Sequence, residues 1–471
     1  MMKLKFVLPL LLTLVAACFA MTRFTNAAPA ALTLTVNTSL ADAVDVNPGN
    51  GICETAPGNN ACTLRAAVME ANASPGMDTI VIPAGTYYLT IPSTAENYAL
   101  DGDLDVTDSV TIVGAGAAET IIDGNRDVTN GRVFDIFSGV YVHMSHLTVR
   151  NGIHEATAGI SGTSGGILNR GSLTLEYARL LSNQEGGLLN SGVAELNAVT
   201  YANHTGGFVA LTNTGGGTLT IRNSTINNNN SSGFSNGGGV DASNGTITIM
   251  NSTIVNNQAT LHGGGIYITQ SVANYPTAVY LYNVTVMDNI ADSDQNDTGV
   301  GGGIAVSTFY GHIPTVYMHN SIVANNRLRF FTNPVNSDCA GTIISGGYNL
   351  VKTLSGCDLT GVTTGNLTNI DPLLSNLLDN GGPTRTRLPG SLSPVIDAGN
   401  PAGCAGDSVG GMLTTDQRAY PRHVDGGSGV ARCDMGAAEY NSAPTEPPTP
   451  TPSPTPVPTL THHIFLPTIQ R

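Results

Sequence analysis

The sequence is poor in charged residues and contains no tryptophan. Of its 471 residues 11% are charged, the formal net charge is −15, and Lys352 is the only lysine after residue 30. Nucleic acids and anionic membranes are bound through lysine and arginine, which neutralise phosphate. The charge balance therefore argues against nucleic acid and against an anionic membrane surface as partners. The linear charge pattern also shows no basic segment that would bind an acidic polysaccharide.

A long apolar run is missing as well. The longest candidate, Phe6–Ala17, follows Lys3 and Lys5 and has about 12 residues, whereas a membrane-spanning helix needs about 20. With the small residues of Ala28-Pro29-Ala30 after it, this pattern predicts an export signal over residues 1–30. Val15-Ala16-Ala17-Cys18 resembles a bacterial lipobox, which would make Cys18 a lipidated N-terminus. Both interpretations stay open, and both predict an extracellular or cell-surface protein.

The cysteines lack the Cys-x-x-Cys spacing and neighbouring histidines of metal sites. Six cysteines remain after residue 30, in three pairs that are close in sequence. Because an exported chain meets an oxidising environment, we expect them to form disulfides. Other connectivities exist. We predict nearest-neighbour pairing because stacked coils keep the pairs apart, which gives Cys53–Cys62, Cys339–Cys357 and Cys404–Cys433.

Glycine and a repeated asparagine phrase are what the chain has in abundance. Glycine occurs 56 times. Pairs or triplets of glycine open successive segments at Gly165, Gly186, Gly206, Gly237, Gly263 and Gly301. A second phrase recurs as Asn223-Ser-Thr-Ile-Asn-Asn, Asn251-Ser-Thr-Ile-Val-Asn-Asn, Asn283-Val-Thr-Val-Met-Asp-Asn and Asn320-Ser-Ile-Val-Ala-Asn-Asn. Self-similarity with a period of roughly 20–50 residues indicates stacked structural units.

Within one repeat the pattern is that of short strands joined by tight corners. Thr246–Met250 alternates apolar and polar residues, as a half-buried strand does. Glycine and asparagine tolerate the left-handed backbone of corners, and asparagine amides can bond to each other from coil to coil. A β-propeller would show a steadier period. We therefore predict an all-β, single-stranded right-handed parallel β-helix, with equivalent positions at Ile226, Ile254, Val286 and Val323.

Different segments flank these coils, which we place at residues 106–330. An N-terminal cap is predicted over residues 31–105, with a helix that begins after Thr63, ends near Ser74-Pro75-Gly76, and is followed by a hairpin around Pro83-Ala84-Gly85. Residues 331–440 form an irregular, disulfide-bearing C-terminal region. A Pro/Thr-rich linker over residues 441–460 and a short apolar tag over residues 461–471 complete the chain.

Three parts of the chain resemble known families. Cys62-Thr-Leu-Arg-Ala-Ala-Val resembles the CSLREA segment of bacterial secreted β-helix proteins, although it departs at Thr63 and at Ala66. The glycine-led coils are similar to pectate-lyase-like repeats and to those of polymorphic outer-membrane proteins. Phrases of the C-terminal region resemble the choice-of-anchor-Q type: Asp371-Pro-Leu-Leu, Asp379-Asn-Gly-Gly-Pro-Thr, Pro394-Val-Ile-Asp-Ala-Gly, Asp416-Gln-Arg418 and Cys433-Asp-Met-Gly-Ala-Ala-Glu439. The resemblance implies surface display or sorting.

The candidate chemistry is sparse. Acids and bases of the coils do not recur in phase, so we assign no catalytic residue and no organic cofactor. The loop Asp292-Ser-Asp-Gln-Asn-Asp297 is a candidate Ca²⁺ site, with Asp292, Asp294, Asn296 and Asp297 as ligands; the alternative is a solvated acidic insertion. Asp101-Gly-Asp-Leu-Asp105 is predicted to be a structural turn; the alternatives are a Ca²⁺ loop or a pair of acids, since Asp103 and Asp105 would share a face of a strand. The sequons at Asn203, Asn223, Asn251 and Asn283 coincide mostly with ladder positions.

The sequence therefore favours a secreted or cell-surface β-helix protein with an adhesive, binding or structural role towards carbohydrate or the cell envelope. The alternative is a polysaccharide lyase or glycoside hydrolase that acts in a groove along the coils, because the fold hosts such enzymes. Ligand identity and oligomeric state stay open at this point.

Overall fold

The computed structural model describes residues 31–39, 41–154, 164–330, 333–406 and 411–443. The predicted export signal, Cys18, nearly all of the Pro/Thr-rich linker and the C-terminal tag lie outside these residues.

Two helices are present in the described residues: α1 Leu64–Ala73 and α2 Arg126–Thr129. The predicted cap helix is confirmed as α1. The Thr63 side chain accepts a hydrogen bond from the Ala66 amide and caps the N-terminus, and the helix ends at Ser74. The helix packs on the first strands and covers the N-terminal end of the solenoid.

The strands are short and follow one another at tight corners. Up to residue 200 they are β1 Thr33–Thr35, β2 Asp78–Ile82, β3 Gly85–Tyr88, β4 Leu104–Val106, β5 Val110–Gly114, β6 Thr120–Asp123, β7 Phe134–Ile136, β8 Tyr141–Ser145, β9 Thr148–Arg150, β10 Ile167–Asn169, β11 Ser172–Glu176, β12 Arg179–Leu181, β13 Leu188–Asn190 and β14 Val193–Asn197. From there to residue 291 they are β15 Thr200–Ala202, β16 Thr205–Gly206, β17 Leu211–Thr214, β18 Thr218–Arg222, β19 Thr225–Asn227, β20 Asn230–Ser231, β21 Val240–Ser243, β22 Gly245–Val255, β23 Ile266–Thr269, β24 Thr277–Met287 and β25 Ile290–Ala291. The last are β26 Ile304–Ser307, β27 Thr315–His319, β28 Ile322–Ala324, β29 Arg327–Leu328, β30 Val335–Asn336, β31 Cys339–Gly346, β32 Leu350–Val351, β33 Cys357–Val362 and β34 Leu367–Thr368.

These strands stack into a parallel β-helix with three faces. Strands β2, β5, β8, β11, β14, β18 and β27, with the first halves of β22 and β24, pair in parallel along the first face. Strands β3, β6, β9, β12, β15, β19 and β28, with the second halves of β22 and β24, form the second face. Strands β4, β7, β10, β13, β17, β21, β23 and β26 form the third face. The predicted fold class is confirmed.

The predicted register is confirmed at the asparagine phrases. Ile226 pairs with Ile254, Ile254 with Val286, and Val286 with Val323. All four are at most 1% exposed, so they form one continuous apolar ladder inside the second face. Stacked Ile and Val side chains bury apolar surface between every pair of coils, which stabilises each coil through its neighbours.

Asparagine side chains form hydrogen-bonded ladders at the corners. The Asn229 amide donates to Asn257, Asn257 to Asn289, and Asn289 to Asn326, at 2.8–3.0 Å. Asn326 donates to Asp338, which ends the ladder. The leading asparagine of each repeated phrase has a positive φ, as at Asn223 with 50° and Asn251 with 45°. Asparagine therefore has two roles in the phrase: the ladder residues contribute their amides, and the leading residue tolerates the left-handed backbone.

Two features of the N-terminal part differ from expectation. The predicted hairpin around Pro83-Ala84-Gly85 is wrong, because β2 pairs in parallel with β1 and β5 while β3 pairs with β6. The segment is a coil corner, and parallel stacking begins at Thr33, upstream of residue 106.

The buried Arg65 connects the segments of the N-terminal part. It forms a salt bridge with Asp42 and donates to the carbonyl oxygens of residues 99 and 101–103.

The C-terminal region from residue 371 to 443, which we call the cover, folds back along the second face, as residues 371–406 and 411–443 show. The Asn251 amide donates to the Thr415 carbonyl, the Asn283 amide to Ala405, and the Asn320 amide to Asp434. A buried network holds this cover together: Arg418 pairs with Asp416, and Arg422 with Glu439, each at 2.7 Å. Arg422 also donates to the Asn251 side chain at 2.7 Å, which joins the cover to the coils.

Disulfide bonds are present, as expected for a chain with paired cysteines. Cys53 is bonded to Cys62, Cys339 to Cys357 and Cys404 to Cys433, with Cα–Cα distances of 5.1, 5.2 and 5.7 Å. The first disulfide lies in the cap, the second joins two strands of the last coils, and the third lies in the cover.

None of the helices in the described residues is long and apolar enough to cross a membrane.

Candidate binding cleft

A cleft of about 340 Å³ opens where the cover meets the second face. Its floor is made by outward-facing residues of three consecutive strands, β12, β15 and β19. Arg179, Thr200 and Thr225 lie in register across these strands. Leu181, Ala202 and Asn227 form the parallel row two positions along. Between the rows, Leu180, Tyr201 and Ile226 point into the core and are at most 1% exposed.

Small side chains make the floor concave. Thr200, Ala202 and Thr225 lie between the longer Arg179 and Leu181 on one side and the cover on the other. Asn203 and Asn228 follow strands β15 and β19, with φ of 60° and 56°, and both are exposed at the corner. The left-handed backbone of these asparagines turns the chain sharply and places their amides at the edge of the cleft.

The opposite wall is the loop from Asp379 to Arg385. Leu378 and Thr386 exchange two backbone hydrogen bonds of 3.1 and 3.0 Å, which close this loop. The Thr384 hydroxyl donates to the Asn223 carbonyl, and the Thr225 hydroxyl donates to the Arg385 carbonyl. Gly382 has φ of +81°, and a Cβ there would lie 2.5 Å from the Arg418 Cα, so glycine is required.

Gln417 fixes this wall to the floor. It is fully buried, and its amide nitrogen donates to the Thr225 and Thr384 hydroxyls at 2.9 and 3.0 Å. Its amide oxygen accepts from the Thr253 hydroxyl at 2.7 Å. One side chain therefore links strands β19 and β22 to the loop, and the cleft is preorganised.

The cleft is lined by asparagine, threonine and arginine residues, whose amide, hydroxyl and guanidinium groups can form hydrogen bonds with a hydroxyl-rich ligand. Thirteen residues line it: Arg179, Leu181, Thr200, Ala202, Asn203, Thr225, Asn227, Asn228, Asp379, Gly382, Pro383, Thr384 and Arg385. Its volume lies near the lower end of the roughly 300–1,000 Å³ of small-molecule sites. The linear sequence does not indicate this cleft, because its floor and its wall are far apart in the chain.

A second polar cluster is buried on the third face. One carboxylate oxygen each from Asp103, Asp105 and Asp135 lies within 4.8 Å of the others, and no other such group of three occurs in the described ranges. Arg132 lies 3.5 Å from Asp103 and 3.3 Å from Asp135, and Arg170 lies 2.7 Å from Asp135. The cluster is therefore a network in which two arginines partly compensate three carboxylates.

Burial controls the protonation of this cluster. Desolvation, reinforced by the Asp103 charge, raises the pKa of Asp105 to about 8. Desolvation also raises the pKa of Asp135, while Arg132 and Arg170 oppose the rise. The three aspartates are at most 4% exposed, so a polymer cannot reach them as the chain is folded. Asp105 pairs with Asp135 in register, and the similar phrases Leu104-Asp-Val and Phe134-Asp-Ile are the sequence signal for this contact.

The other predicted positions are distributed as follows. In the candidate Ca²⁺ loop, Asp292 accepts from the Asn296 backbone amide and Asp294 from the Asn296 side chain. Asp297 has a positive φ of 62° in the same loop. The Ca²⁺ site in this loop stays a prediction from the sequence. In the predicted turn, Asp101 accepts from the Thr94 amide and hydroxyl.

The sequon asparagines serve the fold in most cases. Asn251 and Asn283 are at most 2% exposed and bond to the cover, and Asn223 donates to Asn197. Asn203 is exposed and lines the cleft.

Comparisons with known proteins give one structural match to report. No family model matches the sequence, and no curated protein matches it. Among solved structures, pectin methylesterase PemA from Erwinia chrysanthemi is similar, with 13% identity over 72% of this chain and 93% of that chain and a TM-score of 0.30. The fold assignment rests on the strand register described above.

Proposed function

We propose that this protein is an exported, surface-displayed β-helix protein that binds a glycan in the cleft between strands β12, β15 and β19 and the loop from Asp379 to Arg385. The observation that carries the proposal is a rigid, concave and polar cleft. Amides, hydroxyls and guanidinium groups converge there on a floor of stacked strands. A preorganised site loses little conformational entropy on binding, which favours a hydroxyl-rich ligand that gains only modest energy per contact.

Surface display is the second part of the proposal. Three disulfides are typical of proteins outside the cytoplasm. The CSLREA-like and choice-of-anchor-Q-like phrases, the predicted signal and the Pro/Thr-rich linker all favour export and attachment to the cell envelope. The linker over residues 441–460 would hold the tag over residues 461–471 away from the coils.

The enzymatic alternative has less support from the cleft. Glycoside hydrolysis uses two carboxyl groups at a defined separation. Asp379 is the one carboxylate among the described residues that line the cleft, and its side chain accepts from the Gly381 amide. The three carboxylates that cluster beside arginines, those of Asp103, Asp105 and Asp135, are buried on another face. Binding without cleavage is therefore the function that we propose.

A blocking substitution tests the proposal. Thr200→Tyr would place a ring in the centre of the cleft floor, so we expect glycan affinity to fall at least about tenfold. Thr220→Tyr is the matched control, because Thr220 is also an outward-facing, half-buried threonine, on strand β18 of the first face. Both variants and the wild type would be measured on a glycan array and by calorimetry, with product release scored in parallel.

The outcomes separate the alternatives. Loss of binding in Thr200→Tyr with retention in Thr220→Tyr supports the cleft. Equal binding by both variants, or no glycan bound by the wild type, would overturn it. Release of cleaved or unsaturated products by the wild type would establish the lyase or hydrolase alternative instead.

A further inference from the structure

Two arginines from distant parts of the chain line the cleft. Arg179 lies on strand β12 and Arg385 in the cover. Both are exposed, and neither forms a salt bridge within the part of the chain that the structure describes. We propose that the cleft selects anionic glycans, whose carboxylate or sulfate groups bind between these two guanidinium groups.

The surroundings of Arg179 differ from those of two arginines on neighbouring strands, Arg150 and Arg222. Arg222 pairs with Glu195 and Arg150 with Asp123, each on a neighbouring coil. In the row of Arg179 the neighbouring residues are Thr148 and Thr200, which are neutral. The coils therefore leave the charge of Arg179 uncompensated, whereas the same stacking neutralises Arg150 and Arg222.

Arg385 is directed to the cleft by its neighbours in sequence. Thr384 and Thr386 are buried, and the Arg385 carbonyl accepts from Thr225 and from Gln417. Arg387, two positions along, is buried and pairs with Asp288. The backbone of Arg385 is thus fixed on the floor, and the residue is exposed and lines the wall.

Local charge favours an anion although the whole chain is acidic. Among the residues that line the cleft, Arg179 and Arg385 are basic and Asp379 is the one acid, so the cleft carries a net positive charge. Charges beyond about 10 Å are largely screened at physiological ionic strength, so the net −15 of the chain does not set the potential at contact distance. A guanidinium binds a carboxylate or sulfate through two parallel hydrogen bonds, which supplies both affinity and orientation. The linear sequence could not show this basic site.

The test compares charged and neutral forms of the same ligand. This inference rests on the glycan-binding function proposed above, so the probes are short oligomers of galacturonate, mannuronate and glucuronate, each beside its carboxyl-reduced neutral form. A sulfated oligosaccharide forms a separate arm. The proteins are the wild type, Arg179→Gln, Arg385→Gln and the double variant. Arg327→Gln is the matched control, because Arg327 is an exposed strand arginine without a salt bridge, outside the cleft.

We expect the wild type to prefer at least one charged form over its neutral counterpart by about tenfold or more, and to lose this preference as salt is raised. The preference should fall in each single cleft variant and approach unity in the double variant, with Arg327→Gln unchanged. Preference for the sulfated probe alone supports the proposal and assigns the anion as sulfate. Equal binding of charged and neutral probes overturns the inference but leaves glycan binding intact. Equal losses in Arg327→Gln overturn it as well, and absence of binding to every glycan overturns both proposals.

Discussion

At the scale of single residues, the most unusual group is the buried Asp105. It is 1% exposed, accepts a hydrogen bond from the Ala99 amide, and faces Asp103 and Asp135. Two arginines compensate the three carboxylates only in part. Burial and the Asp103 charge raise the pKa of Asp105 to about 8, so Asp105 keeps its proton at neutral pH. Asp434 and Glu439 in the cover follow the same rule, because burial raises their pKa values to about 6 and about 8.

This protonation should make stability depend on pH. The unfolded chain releases the Asp105 proton near pH 4, whereas the folded chain keeps it to about pH 8. Between about pH 4 and about pH 8 the folded state therefore binds more protons than the unfolded state. The contribution of Asp105 to the free energy of unfolding is thus highest below about pH 4. It decreases as pH rises, by up to about 1.4 kcal/mol per pH unit for one proton. Asp105→Asn cannot ionise, so its stability relative to wild type should rise with pH.

Urea unfolding at several pH values from about 5 to 9 would measure this effect. Asp358→Asn is the control, because Asp358 is exposed on strand β33. Asp434 and Glu439 also contribute to the pH dependence of the wild-type free energy of unfolding. The quantity to compare is therefore the difference in free energy of unfolding between Asp105→Asn and wild type at each pH. A difference that does not change with pH would show that Asp105 is ionised in the folded chain.

At the scale of elements, each coil is held by an apolar ladder inside and an amide ladder at the corner. Asn257 illustrates the second. Its amide donates to Asn289 and to the Ile226 carbonyl, and its side-chain oxygen accepts from Asn229, all in a fully buried position. Every amide in the row is both donor and acceptor, so removing one leaves polar groups unpaired on two neighbouring coils.

Asn257→Ala should therefore be strongly destabilising. We expect a loss of about 2–4 kcal/mol in the free energy of unfolding, because several buried hydrogen bonds are lost together. Asn257→Asp should cost a comparable amount, since a carboxylate cannot donate. Asn274→Ala, at an exposed position in the loop before strand β24, serves as control. Denaturant unfolding gives the values, and a loss below about 1 kcal/mol would contradict a structural role for the ladder.

At the scale of the whole molecule, the cover makes the second face into a cleft. The cover bonds to the corner asparagines Asn251, Asn283 and Asn320, to Thr225 through Gln417, and to Asp288 through Arg387. The disulfide between Cys404 and Cys433 closes it as a unit. The cover therefore supplies both packing and one wall of the cleft.

Two truncations distinguish the cover from the segment that follows it. A chain ending at residue 443 should keep the melting temperature and glycan binding of the full chain while it is released from the cell surface. A chain ending at residue 370 loses the cover, so we expect a melting temperature lower by at least about 5 °C and no binding. Calorimetry and cell fractionation measure the two properties. Unchanged surface retention of the first truncation, or unchanged melting of the second, would contradict these roles.

The sequence by itself determined the repeating part of this protein. Alternation of apolar residues, left-handed asparagines and a recurring phrase specify the coil, so the ladder from Ile226 to Val323 and the cap helix after Thr63 were predictable. Each of these features depends on neighbours within one or two coils, and local pattern is sufficient for them. The nearest-neighbour cysteine pairs belong to the same class.

Only the tertiary structure decided where the cover lies, and with it the cleft. The cover has no period that could be matched to the coils, and it is held by single contacts such as those of Gln417 and Arg422. Contacts between residues that are far apart in the chain produce no recognisable spacing in the sequence. The sequence therefore could not predict that Arg179 and Arg385 line the same cleft. The physical reason is that a repeat encodes its own stacking, whereas docking of a non-repeating segment depends on the three-dimensional surface that the stacked coils create.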